Sequence, residues 1–535
     1  MPILHWLNDE EARKTSSQLP YCLLEADTKL SFGDSDSENM LIQGDNLEAL
    51  KALLPYYAGQ VKCIYIDPPY NTGNAFEYYD DNLEHSTWLS LIYPRLEMLY
   101  ELLSTDGFFC CHIDDAESSY LKVLLDEIFG RQNYQTTLYI KVRYAEKTLK
   151  SDMKYHKEIE QVHIYRKSRS AQPILPNQSF DYDKFKYKFV EKGKGKTIEL
   201  GGKRVDIFER NQFEIVNQGF GSQDGLKEIW ASGTILDGNS SGRFFRDYLA
   251  GRVEEDGLGV LYKVFGIGDD QFDFRYFTGP AKQGATKGKY YQGVPIDKLG
   301  ENIEKESPIE NFYDLSGAFG NCRTEGGVEF RSGKKPEILL RTILDFFSKP
   351  NDLVLDSFLG SGTTAAVAHK MGRRYIGIEM GDHAITHCAP RIKRVVEGEQ
   401  SGISKDVNWQ GGGGFSFYHL GESVFDEQGH INSKVKFKSL AAHVWFSETH
   451  TPLLKTTKTP LLGIHGETAF YLLYNGILGD KTPAGGNVLT ARVLRELPKH
   501  KGKKVIYGEM SMLDEAVLHK QEITFKHIPY DIKAR

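Results

Sequence analysis

Cysteine is sparse and scattered in this chain of 535 residues: the six stand at 22, 63, 110, 111, 322 and 388, and no two form a C-x-x-C pair. That spacing speaks against a disulfide framework and a structural zinc site, and it suits a reduced compartment. No metal site is expected. Long apolar runs are missing too: none approaches the ~20 residues of a membrane-spanning helix. The opening MPILHWLNDEE lacks the basic-then-apolar pattern of a secretory leader. The phosphate-binding pattern G-x-x-x-x-G-K-[ST] is absent, which removes P-loop nucleotide hydrolysis. No clean repeat of fixed period is visible. A soluble, cytoplasmic protein is expected.

Hydrophobic residues make up 40% and charged residues 26%. That composition can build a large core and excludes collagen, coiled coil and wholesale disorder. At roughly 150 residues per domain the length suggests three or four domains, or one elaborated core with insertions. The net charge of -7 is uneven: residues 1–50 hold ten acids and three bases, whereas residues 141–210 hold eighteen Lys/Arg against ten Asp/Glu. A basic block on an acidic chain suits a polyanion-facing surface or a solvated lysine-rich loop, and charge alone does not choose between them.

Four segments read as buried parallel strands: 61–67 (VKCIYID), 107–114 (GFFCCHID), 352–356 (DLVLD) and 375–379 (YIGIE). Each is an apolar run stopped by an acid, with helical patterns between them. Helices are expected over 87–103, over 118–129 with Ser118 as cap, over 336–347 with Pro336 as first residue, and over 362–371. The stretch from about 141 to 330 alternates instead and is rich in Lys, Gly, Tyr and Phe. It reads as a β-rich insertion that splits an α/β unit, with two strands before it and two after. A flexible joint is expected at Gly411–Gly414, followed by a third region of mixed α/β character.

Asp67-Pro68-Pro69-Tyr70 ends the first of these strands. Ligands of open α/β sheets bind at the carboxyl ends of strands, and two prolines hold a rigid extended turn there. An exocyclic amine could donate one N–H to the Asp67 carboxylate and the other to the Pro68 carbonyl, while Tyr70 stacks on its ring. The plain structural alternative is a strand-ending turn with a capping Asp.

Asp356-Ser357-Phe358-Leu359-Gly360-Ser361-Gly362-Thr363-Thr364 joins a strand to a helix. Its glycines allow a tight turn and close approach of a ligand, and the helix N-terminus behind them favours an anionic group such as a carboxylate. Glu379, nineteen residues after Gly360, stands where an acid meets ribose hydroxyls in nucleotide-type pockets. Gly360-x-Gly362-x-x-Ala365 also fits the dinucleotide fingerprint of a nicotinamide dehydrogenase. Such chemistry has no use for two prolines at a strand end.

Taken together, DPPY and the later F-x-G-x-G (Phe358, Gly360, Gly362) resemble the S-adenosylmethionine-dependent amino-methyltransferases of DNA. The catalytic motif precedes the insertion and the cofactor motif follows it, as in the circularly permuted β class of N6-adenine enzymes. The sequence is most similar to the modification subunits of type III restriction–modification systems, through Gly44-Asp45-Asn46-Leu47-Glu48-Ala49-Leu50, Asn71-Thr72-Gly73 after DPPY, and the glycine-rich join 411–418. The core resemblance covers about 40–166 and 330–396.

It implies a Rossmann-like α/β methyltransferase sheet with an inserted target-recognition domain. The expected parts are 1–166 with the catalytic motif, 167–330 as the insertion, 331–400 for the cofactor, and 411–535 as an accessory region. Carried over by residue, Asp67, Pro68, Pro69 and Tyr70 grip the adenine; Asp356, Phe358, Gly360, Ser361, Gly362 and Thr363 form the cofactor loop; Glu379 takes the ribose. Asp45, with Asn46 beside it, would meet the cofactor's adenine, and Lys335 its methionine carboxylate. Tyr144 is a candidate second aromatic against the base, with a core role as its alternative, as for Tyr139 and Tyr155; His112 and His156 read as structural.

The implied reaction is direct methyl transfer from S-adenosyl-L-methionine to N6 of an adenine flipped out of double-stranded DNA. The rate would come from in-line placement and dipolar stabilisation. The insertion would contact phosphate, with Phe274–Gln292 (four Lys/Arg, no acid) as its candidate stretch. N4-cytosine methylation and a non-catalytic DNA-binding paralogue remain alternatives. A homodimer and a helicase–nuclease partner subunit are further expectations of the resemblance.

Overall fold

Short runs such as VKCIYI and LVLD carry apolar side chains on both faces, so they can only sit where both faces are covered. They become the middle of a ten-stranded sheet. The computed structural model describes all residues except 1–2, 73–82, 145–154, 232–239, 286, 301–303, 331–332, 426–430, 433, 455–458, 478 and 529–535. The chain forms two units, 1–174 with 310–535, and 175–309.

In the first unit the strands, in chain order, are β1 (Cys22–Gly33), β2 (Met40–Gln43), β3 (Val61–Ile66), β4 (Leu103–Ile113), β5 (Tyr134–Lys141), β6 (Ile159–Arg166), β7 (Phe312–Asp314), β8 (Leu353–Asp356), β9 (Arg374–Glu379) and β10 (Gly414–Ser423). They lie in the order β1-β10-β2-β9-β8-β3-β4-β6-β5-β7. The four strands expected from sequence are consecutive neighbours, β9-β8-β3-β4, and mutually parallel. Strand β8 is followed in the chain by β9 on one side, while β3 leads to β4 on the other. The chain therefore leaves the β8/β3 pair in opposite directions, the arrangement that opens a crevice at the strands' carboxyl ends.

Helices α1 (Asn46–Tyr57) and α2 (His85–Leu102) pack together, as do α4 (Glu337–Phe347) and α5 (Thr363–Lys370). Small residues Ala365, Ala366 and Ala368 let α5 bury itself completely against its neighbours. Helix α3 (Asp115–Leu125) is capped by Asp114, whose carboxylate accepts from the Ala116 amide at 3.0 Å. The expected cap, Ser118, lies inside the helix and binds Gln161 instead. Pro336 stands one residue before α4 rather than in its first turn.

Several boundaries differ from the sequence reading. Residues 167–174 and the segment 310–330 lie in the first unit, so the second unit is narrower than 167–330, and β6 belongs to the main sheet although it falls in the alternating stretch 141–330. Alternating β strands look alike in sequence whichever sheet they join. The Gly411–Gly414 segment is not a joint between regions: it leads straight into β10, which inserts between β1 and β2. Beyond it, Leu461–His465, Thr468–Leu472, Lys504–Gly508 and Ile523–His527 form a four-stranded sheet. Leu440 and Trp445 of helix Phe437–Thr449 share the hydrophobic core of α1 and the main sheet.

The second unit is built on a six-stranded antiparallel sheet, in the order 227–231, 288–292, 274–278, 261–265, 203–208, 196–200. Its own core gathers Val205, Phe245, Tyr262, Val264 and Phe277.

Candidate active site

At the end of β8 the Asp356 carboxylate accepts from the Phe358 amide (2.9 Å) and the Thr364 hydroxyl (2.5 Å), pinning both ends of the glycine turn. Burial pushes this carboxyl up to about 7, with Asp67 and Glu379 adding repulsion and the two hydrogen bonds opposing it. Gly360 and Gly362 both take positive φ, 57° and 81°, and Gly362 caps α5. At Gly362 it is the backbone angle that requires glycine, since a Cβ would find ordinary contacts. Buried Arg391 donates to the Ser361 carbonyl (3.2 Å) and the Thr363 hydroxyl (2.7 Å), and to Glu337 (2.9 Å). It is a support that no sequence motif announced.

Glu379 ends β9. Its Oε2 accepts from the Gly360 amide at 2.6 Å, and its Oε1 from the Met380 amide at 2.9 Å. The acid expected at the ribose thus braces the turn directly. Asp45 caps α1, accepting from the Leu47 amide at 2.8 Å, and pairs with Arg95 at 3.1 Å. Asn46 donates to the Ser357 carbonyl at 2.8 Å and accepts from Arg95 at 2.5 Å. Both residues therefore lie beside the glycine turn. Arg95, which holds them there, was not foreseen.

Asp67, Pro68, Pro69 and Tyr70 leave the end of β3, next to β8. The Pro69 carbonyl accepts from the buried Trp88 indole at 2.8 Å, which fixes the turn. The Pro68 carbonyl accepts no bond among the described residues. Asn71 takes a left-handed φ of 57°. It donates to Glu117 (2.7 Å) and accepts from the Leu83 amide (2.8 Å). Gly73 lies outside the described residues.

Asp67 does not stand alone. Lys335, expected at the cofactor's carboxylate, places its ammonium 2.7 Å from Asp67 Oδ2 and 3.9 Å from Glu160 Oε2. It also lies 4.8 Å from the centre of the Tyr70 ring. Glu160 Oε2 accepts from the Tyr70 hydroxyl at 3.1 Å and lies 2.9 Å from His112 Nε2, while His112 Nδ1 meets the Tyr65 hydroxyl at 2.8 Å. Burial would raise the Glu160 carboxyl, but Lys335, His112 and Tyr70 outweigh it and hold it at about 2. Burial, with Asp67 and Glu160 close by, drives the Tyr70 phenol far up, so it stays neutral. The remaining oxygen of Asp67, Oδ1, is buried with no hydrogen-bond partner among the described residues. His112, read as structural, belongs to this cluster, and Glu160 was missed altogether.

One cleft is lined by Asp67 and Lys335 together with Asp356, Phe358, Gly360, Ser361 and Thr363. The two motifs, nearly three hundred residues apart, meet there because their strands are neighbours. A family model described as DNA methylase matches residues 61–389, from the first residue of β3 to beyond Glu379. The chain belongs to the DNA methylase family. It is 34% identical over 438 residues to the probable type III restriction-modification enzyme HindVI Mod subunit of Haemophilus influenzae, covering 74% of this chain and 56% of that protein. It is 30% identical to the EcoPI Mod subunit of Escherichia phage P1, covering 68% and 60% respectively. A shorter stretch is 39% identical to the EcoP15I Mod subunit of Escherichia coli, covering 24% of this chain and 25% of that protein. This methylase chain thus spans little more than half the length of the first two relatives.

The weaker aromatic candidates fall outside the cleft lining. Tyr139 and Tyr144 are partly exposed, and Tyr155 stands largely in solvent. The Tyr144 hydroxyl packs beside Gly317. Among the described residues no cluster of His, Cys, Asp or Glu is built to hold a metal, and no helix is long and apolar enough to cross a membrane.

Proposed function

We propose that this methylase transfers a methyl group from S-adenosyl-L-methionine to N6 of an adenine flipped out of double-stranded DNA, as the modification subunit of a type III restriction–modification system. The observation that carries the reading is the shared cleft: an aspartate with one unpartnered buried oxygen faces a glycine turn at the end of a central strand. Phe358, Gly360, Ser361, Gly362, Thr363 and Glu379, with Asp45 and Asn46 beside them, would hold the cofactor, while Asp356 keeps the turn in shape. When bound, the cofactor supplies an activated methyl group.

The residues of the chain do the rest. Asp67 Oδ1 and the Pro68 carbonyl accept the two N–H bonds of the amine, draw density onto its nitrogen and stabilise the charge that develops there. Tyr70, neutral and held by Glu160, offers its ring to the base. Flipping the base costs a few kcal/mol, which stacking and the two hydrogen bonds offset in part. Kinship with Mod subunits favours adenine over cytosine, and the helicase–nuclease partner and the homodimer belong to the same reading.

DNA contacts need cations that the fold has not consumed. In Phe274–Gln292, Arg275 is buried against Asp270 (2.7 Å), and Lys289 pairs with Glu228 (2.8 Å), leaving Lys282 and Lys287 exposed. The phosphate grip would thus use Lys282 and Lys287 of the expected stretch, together with the exposed Lys188, Lys194 and Lys196 of the second unit.

Incubation of unmethylated genomic DNA with the protein and radiolabelled S-adenosyl-L-methionine, followed by nucleoside analysis, tests the reading. N6-methyladenine is expected. N4-methylcytosine would change the target base, and no labelled nucleoside would leave a DNA-binding paralogue.

A further inference from the structure

Two adjacent lysines precede α4, and their surroundings differ. Lys334 directs its ammonium to three backbone carbonyls, those of Arg323 (3.3 Å), Glu325 (2.6 Å) and Val328 (2.8 Å). It is held by three main-chain acceptors at once. Lys335 meets side-chain carboxylates instead, Asp67 at 2.7 Å and Glu160 at 3.9 Å. Its main chain is anchored, because its carbonyl accepts from the Thr363 hydroxyl at 3.1 Å. A shift of the ammonium by about 1 Å would bring it within hydrogen-bond distance of Glu160.

An ammonium on Asp67 is useful only until the substrate arrives. It pairs at 2.7 Å with a carboxylate that is largely shielded from water. Yet it covers the oxygen beside the one the target amine needs. It also repels the positive charge that nitrogen acquires as the methyl group moves, and that repulsion is strong where water is excluded. Glu160 is the second acceptor in reach, and its other neighbours, Tyr70 and His112, already gather on Oε2.

We propose that Lys335 is a positioning residue that neutralises Asp67 before the base enters and passes to Glu160 as the base's amine takes its place. The inference rests on the methyl-transfer reading above. Glu160 then has two tasks: it orients the Tyr70 hydroxyl, and it receives the displaced cation. The other titratable groups facing this cluster are Tyr65, Tyr70, Cys111, His112, Cys322 and Asp356. None of them supplies a second cation of fixed charge.

The test uses the full chain, labelled S-adenosyl-L-methionine and unmethylated genomic DNA. A wild-type protein that transfers no methyl group defeats the methyl-transfer reading itself, a failure distinct from that of the Lys335 role. With activity established, single-turnover rates are measured for wild type, Lys335→Met, Glu160→Gln and the double variant. Glu160→Gln should slow wild type at least tenfold and the Lys335→Met background less than threefold, because only the first has a cation to receive. The same cost for Glu160→Gln in both backgrounds overturns the proposal. Calorimetric binding of S-adenosyl-L-methionine gives a second readout that needs no turnover. Affinity for Lys335→Met within threefold of wild type is expected, and a larger loss would return Lys335 to the cofactor's carboxylate and sink the idea. Lys335→Gln replaces Lys335→Met if the latter does not fold.

Discussion

Asp356 is buried and Glu160 largely shielded from solvent near the same cleft, and the two carboxylates are held in opposite directions. Glu160 sits at about 2, below the ordinary 4.5, because Lys335 and two hydrogen-bond donors outweigh its burial. Asp356 sits at about 7, above the ordinary 3.8, because burial wins and its neighbours Asp67 and Glu379 are themselves acids. The difference divides the cleft. On the glycine-turn wall, carboxylates are tied to backbone amides, which do not move. On the Asp67 wall, they are tied to an ammonium on a flexible stem. The first wall is built to hold a shape, and the second to be rearranged by what binds.

The sharpest way to separate the two walls is to remove Asp67. Asp67→Ala should lower single-turnover methylation by 10²–10³-fold or more, roughly the cost of losing a preorganised group that acts on developing charge. Calorimetric affinity for S-adenosyl-L-methionine should stay within a few-fold, since the glycine-turn wall is untouched. Retained turnover would take Asp67 out of the chemistry.

The opposed carboxylates also make a stability prediction with a definite sign. Glu160 is depressed on folding, so its contribution is present above about 4.5 and is lost as pH falls towards about 2. Asp356 is raised, so the folded chain holds its proton more tightly than the unfolded one. Its contribution is present below about 3.8 and is lost as pH rises towards about 7. Measured by thermal unfolding, Asp356→Asn should gain on wild type between those two values, by an amount on the order of a few kcal/mol. Glu160→Gln should do the reverse, losing on wild type as pH climbs from about 2 to 4.5. Two variants with parallel pH profiles would contradict the division of the cleft.

The legibility of the sequence divides along the same line. Asp67–Tyr70 and Asp356–Thr364 are contiguous runs whose residue types state their geometry: prolines for a stiff turn, glycines for positive φ, an acid at a strand end. Their adjacency came from the pattern of parallel strands. The cluster around Asp67 could not be read that way. His112 sits on β4, Glu160 on β6 and Lys335 before β8. They meet only through a register, His112 opposite Val162 and Ile113 opposite Gln161, that no local motif encodes. Arg95 and Arg391 were missed for the same reason. Where the insertion ends was blurred because the short strand β7, at Phe312–Asp314, alternates just as the second unit's strands do, yet it joins the main sheet.

Gly362→Val probes the rigid wall directly. A β-branched residue at φ 81° is strained whatever space it has, at a cost of about 1–3 kcal/mol. Affinity for S-adenosyl-L-methionine should fall tenfold or more while DNA binding is kept. Unchanged cofactor affinity would remove the turn from the pocket.

The second unit repeats the contrast between consumed and available charge on a smaller scale. Arg275 is 4% exposed and bonded to Asp270 and Ser241. Its loss would leave Asp270 as an uncompensated buried acid, so Arg275→Ala should unfold this unit rather than weaken DNA binding selectively. Lys194 and Lys196 are exposed, with no ion pair among the described residues. Replacing both with Ala should leave the melting temperature unchanged and weaken DNA binding by only a few-fold at moderate salt. The more telling quantity is the dependence of affinity on salt, whose log–log slope should fall by about one for each phosphate contact removed. A slope that stays put in the double variant would mean that these lysines are solvated and that the phosphate grip lies on other residues.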